Sequence, residues 1–113
     1  MASPLVRLLR DDGPRVFYTE GFRRELEAHL AILRTRPQRE SQVEDNIALR
    51  YQFDLFGLLT YLNVPSEYHW ITMRVNNLMS PTEYVKTYGN IIIPDLDYIE
   101  TLRAVYTTSH RVL

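Results

Sequence analysis

The chain has 113 residues, a formal net charge of -1, 45% hydrophobic and 24% charged residues, the balance expected of one soluble globular domain. A charge this close to zero, with acidic and basic residues interleaved, lacks the electrostatic footprint of non-specific nucleic-acid binding. The absence of Cys excludes disulfides, thiolate metal sites and a Cys nucleophile. No apolar stretch approaches the roughly 20 residues of a membrane span, and the N-terminal "PLVRLL" is too short and too charged for an export signal.

Residues 1–15, ending in "DDGPR", read as an arm with a turn signal at Gly13 and Pro14. From Thr19, a candidate N-cap, Phe22, Leu26, Leu30 and Leu33 recur at helical spacing and Pro37 lies just past the end. A helix is expected, although Leu26, Ala28, Leu30 and Ile32 also alternate as in a strand, so both periods stay open over 22–34. Residues 36–46 are polar and read as a connecting loop with at most an extended edge. "IALRYQF" sets Ile47, Leu49, Tyr51 and Phe53 against Ala48, Arg50 and Gln52, the period of a half-buried first strand.

Asp54 is then placed to cap a helix carrying Leu55, Leu58, Leu59 and Leu62 on one stripe, and Gly57 inside it points to a close neighbour. "NVPS" ends that helix, and Ser66 is a candidate cap for a second one running from Glu67 to about Asn77. Its rows are Ile71, Val75 and Leu78, with Trp70 and Met73 alongside. "LMSPTEYVKTYG" reads as a loop, "NIIIP" as a buried second strand, and Asp95 as the cap of a last helix with Leu96, Ile99, Leu102 and Tyr106 on one side, before the tail "TTSHRVL". Two strands separated by a helix pair predict a small α+β fold with an antiparallel sheet.

The stretch "RYQFDLFGLLTYLNVPSEYHWITMRVNNLMSPTEY" together with "NIIIP" resembles the LysM-like fold, and more closely its version in baseplate wedge proteins of contractile-tailed bacteriophages. The extended "RYQF" leads into Asp54, Asn76 and Asn77 stand where that family ends its second helix, and "GNIIIP" stands where it closes with an aliphatic strand. Phe53, Asp54 and Leu55 replace the usual Gly-Asp-Thr of carbohydrate-binding members. The resemblance implies a β-α-α-β unit over 47–94, with an N-terminal arm, helix and loop over 1–46 and a C-terminal helix and tail over 95–113. It also implies a non-enzymatic structural protein of the virion tail, docking neighbouring baseplate subunits or copies of itself in a ring. The alternatives are a peptidoglycan- or chitin-binding LysM module and, behind it, a small DNA-binding regulator.

Residue chemistry adds little toward catalysis. His29, His69 and His110 show no ligand spacing, and Ser66 and Ser80 beside His69 lack any orienting or oxyanion pattern. The pairs Glu25 with Glu27 and Asp95 with Asp97 fit caps or solvated faces. Of four Gly, none stands in phosphate-loop spacing. A helix-turn-helix reading of 55–77 meets Glu67 where a phosphate would lie and a single basic residue, Arg74, on the second helix. The eight Tyr favour an interaction surface, since Tyr suits sites that are apolar at one end and wet at the other. The expected partner contacts are Tyr68, Arg74, Asn77, Met79, Ser80, Pro81, Tyr84 and Tyr88, with the arm as a second surface. No cofactor, metal, nucleic acid or membrane enters this expectation.

Overall fold

The computed structural model describes residues 14–109; the expected arm up to residue 13 and the tail from His110 lie outside the described residues. The described chain is a small α+β fold. Helices α1 (Glu20–Ala28) and α2 (Leu30–Thr35) lead into strand β1 (Pro37–Ser41), followed by α3 (Asp45–Arg50), α4 (Leu55–Tyr61) and α5 (His69–Val75). Strand β2 (Ile91–Pro94) and the long α6 (Leu96–Ser109) complete it, and 3-10 turns stand at Arg15–Tyr18, Ser66–Tyr68, Pro81–Glu83 and Lys86–Tyr88.

The helical period prevails over 22–34. Phe22, Leu26, Leu30 and Leu33 are all buried, and the Thr19 hydroxyl accepts from the Phe22 amide at 3.4 Å as an N-cap. The helix is interrupted at His29, whose amide bonds the Leu26 carbonyl and whose Nδ1 lies 2.9 Å from the Glu25 carbonyl. A side chain on the i-4 carbonyl opens the ladder there and separates α1 from α2.

The first strand is displaced from its expected position. Residues 47–53 are not a strand: they form most of α3 and a turn, and the antiparallel partner of β2 is instead 37–41, expected as loop. Alternation misleads here because the alternating residues do not share a face: Ala48 is buried, whereas Leu49 and Phe53 are 59% and 57% exposed. Asp45 in the first turn and Arg50 in the last also suit the helix dipole. The unit between the strands therefore holds three helices rather than two.

A strand at 47–53 would also have nowhere to pair. One edge of β2 is taken by β1, through Arg39 with Ile93, Glu40 with Ile92 and Ser41 with Ile91. The other edge is closed by a side chain. Asn76, itself buried, donates from Nδ2 to the Ile92 carbonyl at 2.8 Å and accepts the Ile92 amide on Oδ1 at 2.8 Å. A second Nδ2 bond reaches the Thr72 carbonyl at 2.7 Å, and the Tyr88 hydroxyl donates to the Asn76 carbonyl.

Helices α4 and α5 end alike. Asn63 and Asn77 adopt φ of 66° and 64°, and Val64 and Leu78 donate back to the Leu59 and Met73 carbonyls at 2.9 and 3.1 Å, the Schellman closure. Two arginines bond further carbonyls around this end of α5: Arg34 donates from Nε to that of Val75 at 3.4 Å and from Nη2 to that of Arg74 at 3.1 Å, and Arg74 Nη1 donates to that of Leu78, just past the helix, at 3.0 Å. At the other end of α4 the Asp54 carboxylate accepts the Gly57 amide at 3.0 Å, and a Cβ on Gly57 would stand 2.3 Å from that same side chain. The close neighbour of Gly57 is its own cap. Asp95 caps α6 in the same way, accepting from the Asp97 and Tyr98 amides. Ser66 makes no capping bond: its segment is a 3-10 turn, and α5 starts only at His69.

The core joins Phe22, Leu26 and Leu33 to Leu55, Leu58 and Leu59, to Ile71 and Val75, and to Ile91, Ile93 and Ile99. Because Asn76 closes the buried edge of β2, replacing it by Ala strands the amide and carbonyl of Ile92. Asn76→Ala is expected to cost about 2–4 kcal/mol in urea unfolding; a cost no larger than that of Asn46→Ala, at an exposed position of α3, would remove the edge-closing role.

Candidate docking site

The residues expected at a partner surface divide sharply by burial. Tyr84 is fully buried, and Tyr68 nearly so, its hydroxyl donating to Glu100 Oε1 at 2.5 Å. The Glu100 carboxylate also accepts Arg103 Nε at 2.8 Å. Burial, the Glu100 hydrogen bond and the neighbouring carboxylates push the Tyr68 hydroxyl well above its ordinary range. For Glu100, burial acts upward, but the bonds from Tyr68 and Arg103 prevail and hold the carboxyl below its usual value. This cluster ties the Ser66–Tyr68 turn to α6.

Arg74 is likewise committed inward. Its Nε and Nη2 meet Glu27 at 2.5 and 3.3 Å, a two-point bond from α5 to α1. Tyr88 is half-buried on Asn76. Ser80 and Pro81 start the Pro81–Glu83 turn, with Ser80 Oγ accepting the Thr82 amide at 3.3 Å. Only Asn77 and Met79 of the eight are exposed, Met79 at 70%. The 78–88 loop therefore folds its aromatic residues inward. Trp70 is half-buried, packed against the core with the Arg23 guanidinium over its ring at 4.9 Å, while Ile71 and Met73 are fully buried.

A larger apolar surface lies where the first strand was expected. Leu49 and Phe53 are more than half exposed, and Tyr61, 49% exposed, packs its ring 5.8 Å from that of half-buried Tyr51. Tyr61 and Leu62 also wall a small cleft of about 130 Å³ with Val43 and Ile47. Phe53 is the unusual member. Its backbone is left-handed, with φ of 65°, a conformation that a bulky residue adopts only at a cost. Its amide donates to the Tyr84 carbonyl at 2.7 Å, anchoring the turn to the 78–88 loop. Sequence alternation singled out Leu49 and Phe53 as apolar but assigned them to a core face; no local signal marks them as exposed.

The remaining polar candidates are structural. His69 is buried against Phe56, its Nε2 2.7 Å from the Val64 carbonyl. Burial lowers its pKa, with the Val64 bond acting in the opposite direction. Among the described residues, no three His, Asp or Glu are grouped to hold a metal ion, and no helix is long and apolar enough to cross a membrane.

Two outcomes are expected. The Tyr84 hydroxyl is buried without a hydrogen-bond partner among the described residues, so Tyr84→Phe should hold or raise stability, by up to about 1 kcal/mol; a lowered urea midpoint would show that the hydroxyl is bonded. Burial holds the His69 pKa in the fold below its ordinary value of 6.5, so as pH falls through that value the unfolded chain takes up the proton first. Its contribution is thus complete above that pH and is lost as pH falls below it. Melting curves from about pH 7.5 to about pH 5 should fall less steeply for His69→Gln than for the native chain.

Comparison with known proteins returns no relative: no family model matches the chain, and neither a curated protein nor a solved structure does.

Proposed function

We propose that the chain is a non-enzymatic structural protein of a bacteriophage tail baseplate, a docking module between neighbouring baseplate or tail subunits in the virion. Support for the LysM-like part of this reading comes from two antiparallel strands that bracket the helices, and from Asn76 and Asn77 ending α5 before the closing strand. The bracketed unit runs from β1 at 37–41 rather than from 47, with α3 added to the expected helix pair.

The docking role rests on Phe53. A position with φ near 65° suits Gly or Asn, as the two helix-ending asparagines illustrate. Phe53 nevertheless keeps a large ring there that is 57% exposed. A strained, exposed aromatic contributes little to the folded monomer and much to an interface that buries it. Leu49 and Tyr61 enlarge the surface it would offer, and Tyr is favoured at interface cores.

Opposite effects on stability and docking test this assignment. Phe53→Asn should leave the urea midpoint unchanged or raise stability by about 1 kcal/mol. The same variant, and Leu49→Ser, should weaken capture by purified baseplate wedge subunits by about tenfold or more. Full retention of capture by both variants removes this face from the account. Saturable retention on peptidoglycan, with none on tail subunits, favours the glycan-binding alternative.

A further inference from the structure

On the other side of the α1–α5 contact, Arg23 is held as an unfilled fork. Its guanidinium carbon lies 4.9 Å from the Trp70 ring centroid and 5.9 Å from that of Tyr18, and its Nε donates to the Phe17 carbonyl at 3.3 Å. The ring stacking and the Nε bond fix the guanidinium plane. Neither Nη atom meets an acceptor among the described residues. The nearby cations are engaged elsewhere: Arg24 with Glu20 at 3.2 Å, and Arg74 with Glu27.

Two surface cavities meet at this residue, and Tyr18, Arg23 and Trp70 wall both. One, of about 450 Å³, extends toward Glu20 and Glu27; the other, of about 210 Å³, extends toward Phe56 and His69. We propose that this groove binds an extended segment of a partner protein that carries a single acidic residue among apolar ones, its side-chain carboxylate on the Nη fork of Arg23 and the neighbouring peptide residues in the two cavities.

The charge balance selects a carboxylate over a phosphate. One free guanidinium matches a single negative charge and offers the two parallel donors that a carboxylate accepts. A doubly charged phosphate would meet Glu20, Glu27 and Glu67 in the same walls, where no second free cation stands among the described residues. Two cavities that share the fork as a wall leave room for peptide residues beyond the carboxylate, which selects a carboxylate within a chain over one at its end. The aromatic walls of the smaller cavity suit an apolar residue beside the acidic one. Glu67 is the opposing group: it lines the smaller cavity with no ion pair among the described residues, and burial followed by the neighbouring Glu100 raises its pKa. The groove does not depend on the baseplate reading.

Trp70 is the only Trp of the chain, so its emission reports occupancy directly. The full chain is titrated with an end-blocked pentapeptide carrying a central glutamate between leucines, with the glutamine version, and with an all-leucine version bearing a free C-terminal carboxylate. A saturable change in Trp emission is expected, with the glutamate peptide bound about tenfold more tightly than the other two, the scale of a charge-assisted pair. Arg23→Met should abolish that preference and Arg23→Lys should lose most of it, while Glu67→Gln should strengthen binding of the glutamate peptide. Equal binding of glutamate and glutamine peptides, tighter binding of the free-carboxylate peptide, or no saturable change overturns the proposal. If Arg23→Met fails to fold by circular dichroism, the opposite signs expected of Arg23→Lys and Glu67→Gln decide it.

Discussion

The structure depends on one buried amide. A two-stranded sheet of such short strands has two edges and little stability of its own, and β2 has two of its isoleucines fully inside the core, where water cannot satisfy a free edge. Asn76 resolves this by presenting a donor and an acceptor to Ile92 in the manner of a third strand. The same residue ends α5 and receives the Tyr88 hydroxyl, so helix, strand and the 78–88 loop meet at one side chain. Carbonyls on either side of it are taken by Arg34 and Arg74, and Arg74 extends the network to Glu27 on α1. The N-terminal helices are thus tied into the network that closes the sheet.

What was legible in the sequence follows from how local the cause is. Thr19, Asp54 and Asp95 cap helices through bonds to amides two or three residues away, and such bonds are written in the order of residues. The Leu55, Leu58 and Leu59 stripe and the aliphatic β2 were readable for the same reason. Strand β1 was not, because Pro-Gln-Arg-Glu-Ser has almost no apolar signature; its strand character comes from β2, three helices further along the chain. Residues 47–53 failed in the opposite sense, since their period-two pattern is a strand signal that no available edge could use. Ser66 resembles a cap by type, but a 3-10 turn intervenes before α5.

The burial of the expected partner contacts was least legible, because Tyr content does not say which end of the ring is wet. Tyr68, Tyr84 and Tyr88 all turn inward and make the 66–88 region a structural brace. The arginines behaved alike: Arg34 and Arg74 serve backbone carbonyls, and Arg74, expected at a partner surface, adds a partly buried ion pair. Arg23 is distinguished only by three-dimensional placement, between rings contributed by two different elements.

The closure of β2 also constrains how any partner can attach. With Glu40 opposite Ile92, and the Ile92 groups turned to Asn76, antiparallel alternation directs the amide and carbonyl of Glu40 to the outer edge of β1. A second copy pairing there in a register centred on Glu40 or on Arg39 would set like charges opposite one another, which opposes strand pairing. Pro37 at the start of β1 offers no amide. The sheet is thereby disfavoured as a self-assembly edge, and contact between copies falls to side-chain surfaces. On those surfaces local consistency is broken at Phe53, where the left-handed position that Asn fills at 63 and 77 carries an exposed aromatic ring. Sequences that obey such rules elsewhere tend to break them where function rather than folding sets the residue.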